Sequence, residues 1–271
     1  MFNRRCFLFV SVFLLNGCGD NDFTDRYELG EPRILGLILS APEVSPGQTT
    51  TVSPILSFEN QNSEIIEHRL RGCPDPGLSF GVDPTCEGVS DLQTIQDWTS
   101  FTFSNPAVKS EILGSLGTVT VPGDYLETAT DVEKVTGRVY LIEYSVRVDG
   151  TQILNAFSRL RVTDAVLKPT KNQNPILQDL LYESSSLTVR PTNLKGALSV
   201  SFDSSSLDTG ETLLTSYFVS RGEIDFSRTL GTQFTSWELT QSELDNQDKL
   251  TVIAIGRDER GGLAALIRTG L

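Results

Sequence analysis

The sequence predicts an all-β protein: two consecutive antiparallel β-sandwiches behind an export signal and a short polar tether. Three observations carry that expectation. Ser, Thr, Val, Leu and Gly dominate while strong helix formers are scarce, with a single Met in 271 residues, a balance that leans toward strands and turns. A long alternating hairpin pattern occupies residues 140–162. Seven short strand-like runs fill roughly the last 95 residues with turn residues between them, as an antiparallel sandwich requires. No stretch sustains an apolar stripe at helical spacing.

The N-terminus reads MFNRRCFLFVSVFLLNGC. Arg4 and Arg5 precede an apolar run from Phe7 to Leu15. That run is too short to span roughly 30 Å of hydrocarbon as a helix but suits a signal-peptide core. The competing reading is a buried N-terminal strand or helix, and the polar GDNDFTD that follows offers it no continuation. Leu15-Asn16-Gly17-Cys18 resembles the bacterial lipobox, in which the cysteine is acylated and becomes the first mature residue. Asn16 departs from the small or aliphatic residue usual at its position. The resemblance makes residues 1–17 a lipoprotein signal peptide and Cys18 the lipidation site. Several acyl chains on one residue hold a membrane stably, since each buried CH₂ contributes roughly 0.8 kcal/mol. Gly19 rather than aspartate follows the cysteine, which favours the outer membrane over inner-membrane retention; the face of display stays open. Asn3–Leu8 also resembles the core of a twin-arginine export motif, so both export routes remain open.

Residues 18–32 are polar and acidic and read as a lipidated tether. A first sandwich is expected over 33–164. Its strand candidates are Arg33–Leu39, Thr50–Phe58, Trp98–Phe103 and Thr118–Val121, with few clear signals across 60–96. In the 140–162 hairpin, Tyr140, Ile142, Tyr144, Val146 and Val148 share one face, and Glu143, Ser145 and Arg147 the opposite one. Asp149-Gly150 suits a two-residue turn with positive φ, which would set Val148 opposite Thr151, Val146 opposite Ile153 and Ile142 opposite Phe157. Residues 165–175 lose the alternation and form a linker.

The second sandwich is expected over 176–271. Its strands are Ile176–Tyr182, Leu187–Arg190, Ala197–Phe202, Thr212–Ser220, Thr232–Leu239, Leu250–Gly256 and Leu263–Arg268, with one helical turn within Ser242–Leu250 and a last hairpin loop at Arg257–Gly262. The run RILGLILSAPEVSPGQTTTVSPIL, with Pro42, Pro46 and Gly47 in its turn, resembles the opening of Ig-like domains in lipoproteins of predatory and social bacteria of the myxobacterial type. Asn174-Pro175, Leu213–Val219, Trp237 and Arg257–Gly262 extend the likeness. The resemblance implies Ig-like modules on a membrane-anchored envelope lipoprotein, and no particular activity.

Formal net charge is −13. Loss of Arg4 and Arg5 leaves twenty Lys and Arg against thirty-five Asp and Glu, a net −15. Such an anion is repelled by phosphate backbones, so no nucleic-acid partner is expected. Of four cysteines, Cys6 leaves with the signal and Cys18 is acylated, so Cys73 and Cys86 remain to form a disulfide in an oxidising compartment. A zinc site would need two more ligands, and the sole histidine, His68, supplies one.

Catalytic signatures are weak. Gly77-Leu78-Ser79-Phe80-Gly81 fits the G-x-S-x-G pattern, but it lies in a loop with no helix after it, and His68 precedes the serine. His68 sits among charged neighbours and reads as a solvated strand residue. Asp203, Asp208 and Glu211 could offer oxygens to calcium or simply form a solvated acidic turn; they lack EF-hand spacing. Trp98 and Trp237 read as core anchors, with a ligand-stacking platform as the alternative. No catalytic residue, metal or cofactor is assigned. The expectation is a module that binds an envelope protein or glycan or stiffens the envelope; the competing class is an envelope hydrolase on a β scaffold.

Overall fold

The computed structural model describes residues 27–59, 66–77, 84–104, 109–148, 150, 152–245 and 249–271. The signal peptide, Cys18 and Ser79 lie outside them.

The chain is all-β. In its first half, β1 (Arg33–Leu39), β2 (Glu43–Val44), β3 (Thr49–Ser57), β4 (Ile66–Pro74), β5 (Gln93–Phe101), β6 (Ser110–Ile112) and β7 (Thr118–Thr120) precede a short helix, α1 (Asp131–Thr136), and the hairpin β8 (Arg138–Val148) and β9 (Gln152–Val162). The second half runs β10 (Ile176–Tyr182), β11 (Ser185–Ser186), β12 (Lys195–Asp203), β13 (Leu214–Val219), β14 (Glu223–Ile224), β15 (Arg228–Leu230) and β16 (Thr235–Glu238). It ends with α2 (Gln241–Asp245), β17 (Thr251–Arg257) and β18 (Leu263–Thr269).

These strands form four sheets: β2-β9-β8-β4-β5, β1-β3-β6 with β7 also on β3, β15-β13-β17-β18, and β11-β10-β12-β16-β14. One apolar core, with Leu37, Val52, Leu56, Leu70, Tyr144 and Leu160 among its members, closes the first sandwich. Another, built around Trp237, Tyr217, Leu198 and Val252, closes the second. A third cluster of Leu29, Leu35, Ile55, Ile253, Ile255 and Leu263 lies between the sandwiches. The sheets therefore stack in four layers, the two inner sheets back to back. This explains TVIAIG in β17, which is apolar with no alternation and is buried along its length: alternate side chains enter different cores.

Residues expected to be a tether and a linker are partly built into this stack. The Leu29 amide donates to the Val219 carbonyl at 2.8 Å, and the Val219 amide to the Tyr27 carbonyl at 2.9 Å, so 27–29 add a short parallel edge to β13. In the 165–175 segment, Asn172 is buried, and its Nδ2 donates to Asp258 at 2.9 Å while its backbone amide donates to Glu43 at 3.1 Å. Asn174 Nδ2 donates to the Leu39 carbonyl, and its Oδ1 accepts from the Leu263 amide at 3.0 Å. These polar residues lack alternation because they satisfy backbone and charge across a junction rather than pack a sheet.

Other details depart from expectation. The β8–β9 register sets Val148 opposite Gln152, Val146 opposite Leu154 and Ile142 opposite Ser158. Three residues, not two, therefore separate the paired strands, and a one-residue slip exchanges the faces of all of β9. Leu154, Ala156 and Leu160 consequently face the first core, while Phe157 turns to the disulfide. Leu187–Arg190 is not a strand. Strand β4 was unsignalled because its core-facing positions include His68 and Gly72 instead of aliphatics. At Gly72 a Cβ would lie 2.9 Å from the Tyr140 ring, so that ring takes the space a side chain would fill. Helix α1 buries none of its residues and thus shows no stripe; a capping box between Thr130 and Glu133 starts it. No helix among the described residues is long and apolar enough to cross a membrane.

Candidate functional site

The outward face of the sheet β2-β9-β8-β4-β5 carries an unusual concentration of charge and aromatic surface. Strand alternation places Glu67, Arg69, Arg71 and Cys73 of β4 beside Arg147, Ser145, Glu143 and Leu141 of β8. At the far edge, β5 pairs only with β4 among the described strands. Its register against β4 shifts twice, between His68 and Leu70 and again before Arg71. Such bulges re-aim side chains. Trp98 is set on the outward face, half-buried, with the Arg147 guanidinium carbon 4.0 Å and that of Arg69 4.7 Å from its ring centroid. It is not a core anchor, unlike Trp237, which is buried and donates its indole N–H to the Arg221 carbonyl.

On the same face, two strands in from Trp98, lies Glu143 of β8, which is only 3% exposed. Its carboxylate accepts from Arg71, from the Thr85 hydroxyl at 2.9 Å and from the Cys86 amide at 2.7 Å. Burial by itself would raise its pKa, but those three donors hold it below the usual carboxylate range. A second guanidinium, Arg69, approaches the same carboxylate at 3.7 Å. Burial lowers the Arg69 pKa, as does the like charge of Arg71, and stacking on Trp98 offsets part of that cost. Arg147 pairs with Glu67 at 3.1 Å.

The disulfide joins Cys73 on β4 to Cys86, and both cysteines pack with Leu141, with Val89 and Phe157 alongside. Because Thr85 and Cys86 both donate to Glu143, covalent and ionic restraints meet at one carboxylate. The result is a braced platform: a buried ion pair on β4 and β8, two arginines stacked on an indole beside it, and the strand β5, which among the described strands pairs only with β4.

The other sequence candidates are engaged structurally. His68 faces the core, 4% exposed, with Nδ1 3.3 Å from the Tyr144 hydroxyl, Nε2 2.9 Å from Gln96 and its ring against Phe101. It is a buried residue, not the solvated one expected, and burial lowers its pKa. Asp203 caps a turn by accepting from Ser205, while Asp208 and Glu211 both pair with Arg260. A cleft of about 550 Å³ beside Tyr27 contains Glu238 and Glu243. Glu238 pairs with Lys195, and Glu243 accepts from the amides of Thr240 and Gly222. Of the G-x-S-x-G run, Gly77 alone is described. Sequence reading missed Arg69 and Arg71; the signal in EHRLRGC was alternation of charge on an outward face, without the apolar partners that mark a strand.

No family model and no curated protein sequence matches the chain. Among solved structures it is similar to Escherichia coli alpha-2-macroglobulin activated by porcine elastase, at 12% identity and a TM-score of 0.28, over 91% of this chain and 22% of that one. It thus spans about a fifth of that protein's length. It is also similar to the sporulation control protein Spo0M of Bacillus subtilis, at 12% identity and a TM-score of 0.26, over 89% and 91% of the two chains. The two tandem V-type regions of VCBP3, a v-region-containing chitin binding protein, align at 9% identity and a TM-score of 0.30, over 88% and 99%.

Proposed function

We propose that this chain is a lipid-anchored, Ig-like module of a bacterial cell envelope that holds an envelope partner, protein or glycan, on the outward face of its first sandwich. The observation that carries the reading is Trp98 held by Arg69 and Arg147, with Arg69 also approaching the buried Glu143. Trp and Arg are enriched among binding hot spots, and side chains already fixed by packing and ion pairing lose little freedom on association. A disulfide at the platform suits an exported protein. Residues 27–29 join the fold on the second sandwich, so an anchor at Cys18 would enter there and leave the first sandwich for contact. A spacer role without a partner is the alternative.

Two measurements test the proposal. Cys18→Ala should block acylation and leave an uncut precursor by mass spectrometry; normal maturation of that variant refutes the anchor. Chemical cross-linking in intact envelopes should give a discrete adduct that Trp98→Ala and Arg147→Glu both abolish while remaining folded. An adduct that survives both changes removes the platform from the binding surface, and no adduct at all leaves the spacer role standing.

A further inference from the structure

Where the sandwiches meet, two adjoining clefts of about 500 and 470 Å³ share Phe218 and Arg228. Ser216, Ser227 and Arg257 of the second sandwich line one, and Leu35 and Leu154 of the first help line the other. Neither lining contains an aspartate or glutamate, in a chain whose net charge is −13. Local charge here runs against the whole.

Arg257 ends β17 and reaches across the junction. Its Nη2 donates to the Leu35 carbonyl at 3.2 Å and its Nη1 to the Ser216 hydroxyl at 3.4 Å. Both acceptors are neutral, and among the described residues no carboxylate pairs with it. Burial lowers its pKa, and the nearby Arg228 adds to that effect. Arg228 is exposed on β15, and among the described residues its side chain makes no hydrogen bond or ion pair. Elsewhere Arg71 meets Glu143, Arg260 meets Asp208 and Glu211, and Arg268 meets Asp179. A guanidinium does not deprotonate to escape its surroundings, so a sheltered one without a counterion favours an external anion.

We infer that this junction is a binding site for a small organic anion. Its carboxylate or phosphate sits between Arg228 and Arg257, where planar guanidiniums match oxyanion geometry, and the Ser216 and Ser227 hydroxyls lie within the same cleft. The body of the ligand lies against Phe218 and Leu154. Volumes near 500 Å³ fall in the range of small-molecule sites, about 300–1,000 Å³, and suit an acidic or phosphorylated sugar. Because both sandwiches line the site, the ligand binds the docked arrangement and stabilises it by linkage.

The test is calorimetric titration of the purified full chain with glucuronate, glucose 6-phosphate, inorganic phosphate and neutral glucose, with thermal melts alongside. At least one anionic probe should bind and raise Tm while glucose does neither. Arg228→Gln, at an exposed position, should keep its fold and weaken that probe by about tenfold or more, the size of losing one charge-assisted contact. Arg257→Lys keeps the charge and should retain part of the affinity. The inference is overturned if no anionic probe binds, if glucose binds as well as they do, or if Arg228→Gln binds unchanged.

Discussion

The two outward sheets differ sharply although each is five-stranded and closes a sandwich. On the second sandwich the exposed face shows Asp179 and Leu181 of β10, Ala197, Ser199 and Ser201 of β12, and Ser236 and Glu238 of β16. Small side chains and simple ion pairs suffice there, Asp179 with Arg268 and Glu238 with Lys195. On the first, the corresponding face buries Glu143 against Arg71, stacks two arginines on Trp98 and carries a disulfide. Closing a sandwich requires none of this, and buried ion pairs contribute little net stability over apolar packing. The contrast separates what the fold needs from what only the first sandwich carries.

The largest expected effect breaks the ion pair. Glu143→Ala leaves Arg71 buried without its partner and should cost about 3–5 kcal/mol in urea unfolding. Ser199→Ala on the plain face should stay within about 0.5 kcal/mol of wild type. Equal costs at the two positions would erase the distinction between the faces.

Opening the Cys73–Cys86 bridge with paired serines should cost about 3 kcal/mol by the loop-entropy estimate. Since Cys86 donates to Glu143, the loss should be smaller when Glu143 is already alanine, and a double-mutant cycle measures that coupling. Strict additivity would mean that loop and carboxylate act independently.

Acid sharpens the same contrast. Glu143 binds a proton less readily folded than unfolded, so its contribution is full above the ordinary value of 4.5 and is lost as pH falls through its depressed folded value. His68 acts in the same direction from a higher starting point. Burial lowers its pKa, so the stability of keeping it neutral is present above 6.5 and declines as pH drops below that. Urea midpoints should therefore fall from pH 7.5 to 4, and His68→Gln should flatten the upper part of that decline. A midpoint independent of pH contradicts both assignments.

On the platform itself the smallest effect on stability belongs to Trp98→Ala, which removes two cation–π contacts of about 0.5–1 kcal/mol each. Trp237→Ala, by contrast, empties the centre of the second core and should cost about 3–5 kcal/mol. Thermal melts of the two variants separate a surface tryptophan from a core one.

Much of the architecture was legible. Alternation in YLIEYSVRV and in the late strands reports a face against a core, and the Asp-Gly pair marks a hairpin even though its loop holds one residue more than expected. The disulfide followed from cysteine arithmetic and compartment. What stayed hidden depends on contacts distant in sequence. The burial of Glu143 was not legible because its partners Arg71 and Cys86 lie 72 and 57 residues away from it along the chain. Trp98 looked like a core residue because hydrophobicity is local information, whereas the bulges that turn β5 are set by pairing with β4. His68, flanked by Glu67 and Arg69, gave no hint of burial because both neighbours point the other way. The junction residues Asn172, Asn174 and Asp258 are polar and non-periodic, which is also how a free linker reads.

One measurement bears most directly on the claim that the two outward faces have different roles. A photoreactive residue placed at Thr94, beside the platform, and in a second variant at Ser199, on the plain face, can be activated in intact envelopes. The account predicts a single discrete adduct from Thr94 and none from Ser199. Equal labelling from both positions, or labelling from Ser199 alone, would contradict it.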